Sequence, residues 1–147
     1  MKIPILLPLI LIAITAVTAC GCIGQETVLP EAEQIQVRVY ADPITDNLLQ
    51  GFNENNYTRY SRDFSDEMKQ ALDASAFQQS RELIIPRIGL YVTRGDAIVI
   101  QTGDYLAANY KADFEQEEGV DVRVVFKKGD DSHQIYGLWF NSPKLRT

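Results

Sequence analysis

Beyond residue 40 the chain divides into a part with helical periodicity and a part that alternates. Ile44, Leu48, Leu49 and Phe52 share one helical stripe, which predicts an amphipathic helix. Asp42-Pro43 supplies its start, because Asp accepts from the free first-turn amides and Pro fits the first turn. Residues 53–56 (NENN) end it, and residues 57–60 give a brief further turn. Ser65-Asp66-Glu67 repeats a capping residue followed by acidic positions that suit the helix dipole, with Met68 and Leu72 inward. Another helix is expected at about 75–88, with Phe77, Ile84 and Ile88 inward, Pro86 bending or ending it, and Gly89 at its terminus.

After Gly89 the period falls to two. Strands are expected at 90–93, 97–101, 105–116, 120–127 and 134–140. Between them stand Gly95-Asp96, Gly103-Asp104, Glu118-Gly119 and Gly129-Asp130-Asp131, all of hairpin composition. Short turns between consecutive strands imply antiparallel pairing. Helices followed by a meander predict an α+β fold, with N-terminal helices on one face of an antiparallel sheet of about four strands.

Alternation assigns the faces. Leu106, Ala108, Tyr110, Ala112 and Phe114 share one side, while Lys111, Asp113 and Glu115 share the other. Val120, Val122, Val124 and Phe126 likewise oppose Asp121, Arg123 and Lys127. The final strand differs, with Ile135 and Trp139 on one side and Tyr136, Leu138 and Phe140 on the other. A strand apolar on both faces needs a second cover, from the tether or from a second subunit. Leu138 and Trp139 are therefore the candidate association face, and a homodimer through the sheet is the expected assembly.

The first forty residues change the setting. Met1-Lys2 gives a positive end, and residues 3–19 form an apolar run. As a helix that run would span about 25 Å at ~1.5 Å per residue, short of the ~30 Å hydrocarbon core. It ends in Val17-Thr18-Ala19-Cys20, a lipobox pattern in which small residues fit the peptidase and the thiol accepts the lipid. Gly21-Cys22-Ile23-Gly24 makes Cys22 a second candidate, so the lipidated residue is Cys20 or Cys22. The expected organisation is a signal peptide at 1–19, a lipidated region and polar tether at 20–40, and an α+β domain at 41–147. Residues 34–40 (QIQVRVY) read as a short strand or as the lead-in to the first helix. The expected location is the outer face of the cytoplasmic membrane, held by the lipid.

Composition narrows the partners. The 147-residue chain carries a formal charge of −6, which loss of Lys2 with the signal would make more negative. That balance argues against nucleic acid and against polybasic membrane binding. Cys20 and Cys22 are the only cysteines, so the rest of the chain has no thiol for a disulfide, a nucleophile or a zinc site.

Two stretches carry a family resemblance. Residues 47–60 (NLLQGFNENNYTRY), followed by Phe64-Ser65-Asp66-Glu67-Met68, resemble the start of the domain of unknown function 3887. Residues 120–126 (VDVRVVF) and 135–140 (IYGLWF) resemble its last two strands, and the likeness spans about 42–141. Helical segments followed by a curved antiparallel sheet also resemble the cystatin-like, nuclear-transport-factor-2-like cone. The Gly-Cys-Ile-Gly ending is similar to archaeal lipoprotein signals. These resemblances imply an exported protein and no established activity.

Chemistry-bearing residues are sparse. His133, the only histidine, falls in residues 129–133 (GDDSH), where an exposed turn residue is expected. Asp130, Asp131 and His133 lack a second arm to complete a metal site. Some cone-shaped relatives, such as ketosteroid isomerase, do acid–base chemistry in a pocket between helices and sheet, which requires a desolvated carboxylate beside a donor. Tyr57, Tyr60 and Tyr110 are candidate pocket-lining residues, but the carboxylates fall on outward positions, helix starts or turns. No catalytic set, metal site or cofactor is assigned. Asn56-Tyr57-Thr58 is a glycosylation acceptor pattern. The expectation is a non-catalytic, surface-anchored domain that binds a small-molecule or protein ligand or associates with protein. The alternatives are a ketosteroid-isomerase-like enzyme and a passive envelope module.

Overall fold

The computed structural model describes residues 24–147. The expected signal peptide and lipobox, with Cys20 and Cys22, lie outside the described residues. The elements are β1 (Glu26–Val28), α1 (Glu31–Asn53), α2 (Tyr57–Tyr60), α3 (Asp66–Ala71), α4 (Ala74–Ile88), β2 (Tyr91–Arg94), β3 (Ile98–Thr102), β4 (Tyr105–Phe114), β5 (Glu117–Lys127) and β6 (Ile135–Asn141). The class is α+β, with the helices packed on one face of an antiparallel sheet. That sheet has six strands, in the order β1-β3-β4-β5-β6 with β2 also paired to β4.

Helix α1 departs most from the expected pattern. It starts at Glu31 and passes through Pro43, although a Pro inside a helix forfeits a hydrogen bond and costs about 3 kcal/mol. The stripe Gln34, Val37, Ala41, Thr45, Leu48 and Phe52 is buried on both sides of that Pro, so packing holds one continuous helix. Gln34 also ties the first turns to the sheet. Its Nε2 donates to the Leu29 carbonyl at 2.8 Å, and its Oε1 accepts from the Val99 amide at 2.9 Å. Arg38 Nη1 donates to the Ala97 carbonyl at 3.0 Å. The stretch expected as a tether through residue 40 is thus folded from β1 onward. The alternating 34–40 stretch is helical, with Ile35 and Val39 exposed.

Helix α2 packs directly on α1. A Cβ at Gly51 would lie 2.5 Å from the Tyr60 amide nitrogen, so only glycine permits this approach. Ser65 and Asp73 cap α3 and α4 as their residue types suggest, accepting from the Met68 and Ala76 amides.

The sheet corrects two turn assignments and one face assignment. Gly95-Asp96 is not a hairpin, because β2 and β3 run in the same direction and both pair antiparallel with β4. The β4–β5 turn lies at Glu115-Gln116 instead of Glu118-Gly119. Gly119, at φ +67°, belongs to a bulge in which two residues of β5 oppose Asp113, whose Oδ1 accepts from the Gly119 amide. In β6 a register shift next to Ile135 moves that side chain to the inner face with Leu138 and Phe140. The strand therefore does not present Ile135 and Trp139 together, as alternation alone predicts, because one bulge resets the two-residue period.

The core forms where the helices meet the inner sheet face. Val120, Val122, Val124 and Phe126 are fully buried beneath Leu48, Leu49 and Phe52, each side chain contributing about 1.5–3 kcal/mol. An aromatic group of Phe52, Tyr60, Phe64 and Phe77 joins α1, α2 and α4, the Tyr60 and Phe77 ring centroids being 4.7 Å apart.

Candidate functional site

Of the three candidate pocket tyrosines, Tyr57 and Tyr60 both pack on Phe77, while Tyr110 lies apart from them. Tyr60 is buried in the aromatic group, and burial raises its phenol far above the ordinary value. Tyr57 packs on Phe77 and donates to the Leu72 carbonyl at 3.0 Å. Tyr110 sits across the core on β4, buried under α1. One space between helices and sheet is lined by Tyr60, Leu72, Ser80, Ile84, Leu138 and Phe140, and it holds only about 80 Å³. No carboxylate lines it.

Tyr110 instead belongs to a polar cluster where α1 faces β2 and β4. Its hydroxyl donates to Asp42 Oδ1 at 2.9 Å, and its ring lies 4.9 Å from the Arg94 guanidinium carbon. Arg94 is bidentate on Asp46, at 2.8 Å from Nε and 2.9 Å from Nη2, and its Nη1 is 3.5 Å from Asp42. Tyr91 donates to Asp46 at 3.3 Å, and burial, with the Asp46 charge second, pushes its phenol up to about 12. Burial also raises the Tyr110 phenol. Thr45 Oγ1 is buried with no hydrogen bond of regular geometry. A shallow groove of about 430 Å³ opens beside this cluster, lined by Asp46, Gln50, Tyr91, Val92, Thr93 and Arg94. Its charged groups are already paired, so the cluster closes the helix–sheet seam and offers no free acid or base.

A second cleft, of about 300 Å³, lies where α4 passes the end of α1. It is lined by Asn55, Gln78, Arg81, Glu82, Ile85 and Pro86. The Arg81 guanidinium carbon is 5.5 Å from the Phe52 centroid and 5.8 Å from that of Phe77. Its Nη1 is shut off from solvent without a hydrogen-bond partner, and burial lowers its proton affinity. Arg81 falls on the helical stripe of Phe77, Ile84 and Ile88, so a charged residue interrupting that apolar face was the signal that could have found it.

The outer sheet face carries an apolar row. By register, Val28, Ile100, Ala107, Val125 and Gly137 lie side by side across β1, β3, β4, β5 and β6. The next row holds Ile98 and Trp139, each 57% exposed, with Asn109 and Arg123 between them. The Trp139 ring lies over Gly137, where a Cβ would come within 2.5 Å of it. Leu138 points the other way and lines the small inner space, so Leu138 and Trp139 do not form one face.

The turn before β6 is more ordered than an exposed loop. His133, at φ +50°, is half-buried with its ring stacked 3.8 Å from Tyr40, and its Nδ1 lies 3.1 Å from the Asp130 carbonyl. Asp130 accepts from the Ser132 amide and hydroxyl, which, with Ser132 as the main cause, lowers its carboxyl below the usual range. Asp131 is exposed, and no three acidic, histidine or cysteine side chains converge on a metal-sized site among the described residues. Asn56 is exposed and caps α2, its Oδ1 accepting from the Arg59 amide at 3.0 Å. No described helix is long and apolar enough to cross a membrane.

Helices on one face of an antiparallel sheet define an α+β domain. The family model described as a protein of unknown function, DUF3887, matches residues 45–138, and the chain belongs to that family. No curated protein and no solved structure matches it.

Proposed function

We propose that the chain is a non-catalytic association domain, anchored through a lipid on Cys20 or Cys22 at the outer face of the cytoplasmic membrane, whose outer sheet face pairs with a second copy. The observation that carries this reading is the contrast in charge between that face and the chain. The chain is acidic, at −6. The outer face sets Glu26, Asp113 and Asp121 against Lys111, Arg123 and Lys127, with Lys111–Asp121 and Arg123–Glu26 paired at 2.5 Å and 3.4 Å. A face that is neutral, apolar across its middle and bearing both signs can meet its own copy without self-repulsion.

The cystatin-like, nuclear-transport-factor-2-like reading rests on element order and on the helix-covered sheet. An isomerase-like activity has less support, since ligand sites commonly need about 300–1,000 Å³ and the inner space holds about 80 Å³. A candidate sugar on exposed Asn56 would stand on the helix layer, away from the sheet face.

Residues 24–147 at rising concentration test the pairing. The expected outcome is a monomer–dimer equilibrium in sedimentation, with emission from the only tryptophan, Trp139, moving to shorter wavelength as dimer forms. Val125→Lys should abolish both changes. A monomer at every concentration, with solvent-exposed tryptophan emission throughout, overturns the pairing. For the anchor, mass spectrometry of the membrane-derived N-terminus should find lipid on Cys20 or Cys22; an unmodified Met1 overturns it.

A further inference from the structure

Every other arginine of the chain reaches an oxygen. Arg94 and Arg59 bind carboxylates and amide or carbonyl oxygens, and half-buried Arg87 donates to the Leu83 carbonyl. Arg81 makes no hydrogen bond and no ion pair among the described residues, although its Nη1 is cut off from water. Arg81 is half-buried, and keeping even one of its guanidinium nitrogens from water without a partner is unfavourable, so the group is suited to receive an oxyanion at its open side.

The surroundings sharpen the chemistry. The Phe52 and Phe77 rings lie under the guanidinium and hold its plane. Asn55 stands at φ +55° across the cleft, and its Oδ1 accepts from Gln78 Nε2 at 2.7 Å. Its Nδ2 therefore points its donors elsewhere, available to a second oxygen. Ile85 and Pro86 give one apolar wall. Glu82 supplies the one acidic group of the lining, and it disfavours a second negative charge on the ligand. A cleft of about 300 Å³ stands at the small end of ligand sites.

We infer that this cleft binds a small monocarboxylate, its two oxygens held by the Arg81 fork and Asn55 Nδ2 and its alkyl portion lying on Ile85 and Pro86. The planar fork matches a carboxylate in geometry, and one guanidinium balances one charge. The site lies on the helix layer, apart from the sheet face proposed for association, so either can fail without the other.

The test is a titration of the full-length, isotope-labelled chain in detergent with sodium butyrate, at constant ionic strength. Butyrate should shift the Arg81 Nε–H resonance saturably, together with the side-chain amides of Asn55 and Gln78, while the Arg94 resonance stays put. Butylammonium should do nothing, and inorganic phosphate should bind at least about tenfold more weakly, the equivalent of losing one charge-assisted hydrogen bond. Arg81→Lys keeps the charge and loses the fork, so it should weaken butyrate about tenfold as well; Arg81→Met should remove the saturable shifts. A shift that never saturates, equal binding of phosphate, or an Arg81→Lys variant with unchanged affinity overturns the assignment. Should Arg81→Met fail to fold, Arg81→Lys and the ligand comparison decide alone.

Discussion

Arg94, beside the middle of α1, and Arg81, beside its C-terminal end, both lay their guanidinium groups against aromatic rings, and they have opposite surroundings. Arg94 meets two carboxylates and a carbonyl, and its side chain is 11% exposed. Arg81 meets rings alone, and its Nη1 has no partner. The same side chain is a structural tie in one place and an unsatisfied receptor in the other. Whether partners are already present separates the roles, because a charge taken out of water is stabilising only when something answers it. The residue type alone does not distinguish them.

Stability measurements should break the symmetry. Arg94→Met leaves Asp42 and Asp46 facing each other without their cation, and unfolding free energy should fall by about 2 kcal/mol, discounted from a fully buried pair because both acids reach water. Alkaline titration should give a smaller effect, centred on the same cluster. Burial, with Asp46 behind it, holds the Tyr91 phenol at about 12, above the ~10 of an unfolded tyrosine. The folded state keeps that proton while the unfolded chain loses it. The contribution is therefore complete below pH ~10 and lost as pH rises through about 12, with Tyr91→Phe flattening that fall. Arg81→Met should change stability least, within about 0.5 kcal/mol, because loss of the cation–π contact is offset by removal of an unpaired desolvated group. Chemical denaturation of the three proteins side by side ranks these effects. A loss at Arg81 as large as at Arg94 would mean that Arg81 is a structural tie too.

Much of the fold was legible from the chain. The stripe through Leu48 and Phe52, the cap at Ser65, and the alternation from Leu106 to Phe114 report local periodicity and local hydrogen bonding, which few neighbours can override. Gly103, at φ +57° in the β3–β4 turn, belongs with them. The DUF3887 match over residues 45–138 covers this same locally encoded region.

What local pattern missed depends on distant partners. Pro43 reads as a helix start, and it is the burial of Val37 and Ala41, with Gln34 and Arg38 reaching Val99 and Ala97, that carries the helix back to Glu31. The bulge beside Ile135 reverses its face because β5 fixes the register, and Gly95-Asp96 leads straight on because β4 holds both flanking strands. The candidate site is wholly of this kind. Tyr57 and Tyr60 meet on Phe77 as packing residues, while Tyr110 is drawn off to Asp42 and Arg94. Arg81 draws meaning only from Phe52 and Phe77 beneath it and from making no ion pair among the described residues, although Glu82 lines the same cleft. Sequence determined the helices, the alternating strands and the acidic balance, because each is a sum over neighbours along the chain. Tertiary structure decided which charges are answered and which face remains neutral and apolar, because solvation and pairing depend on groups that meet only after folding.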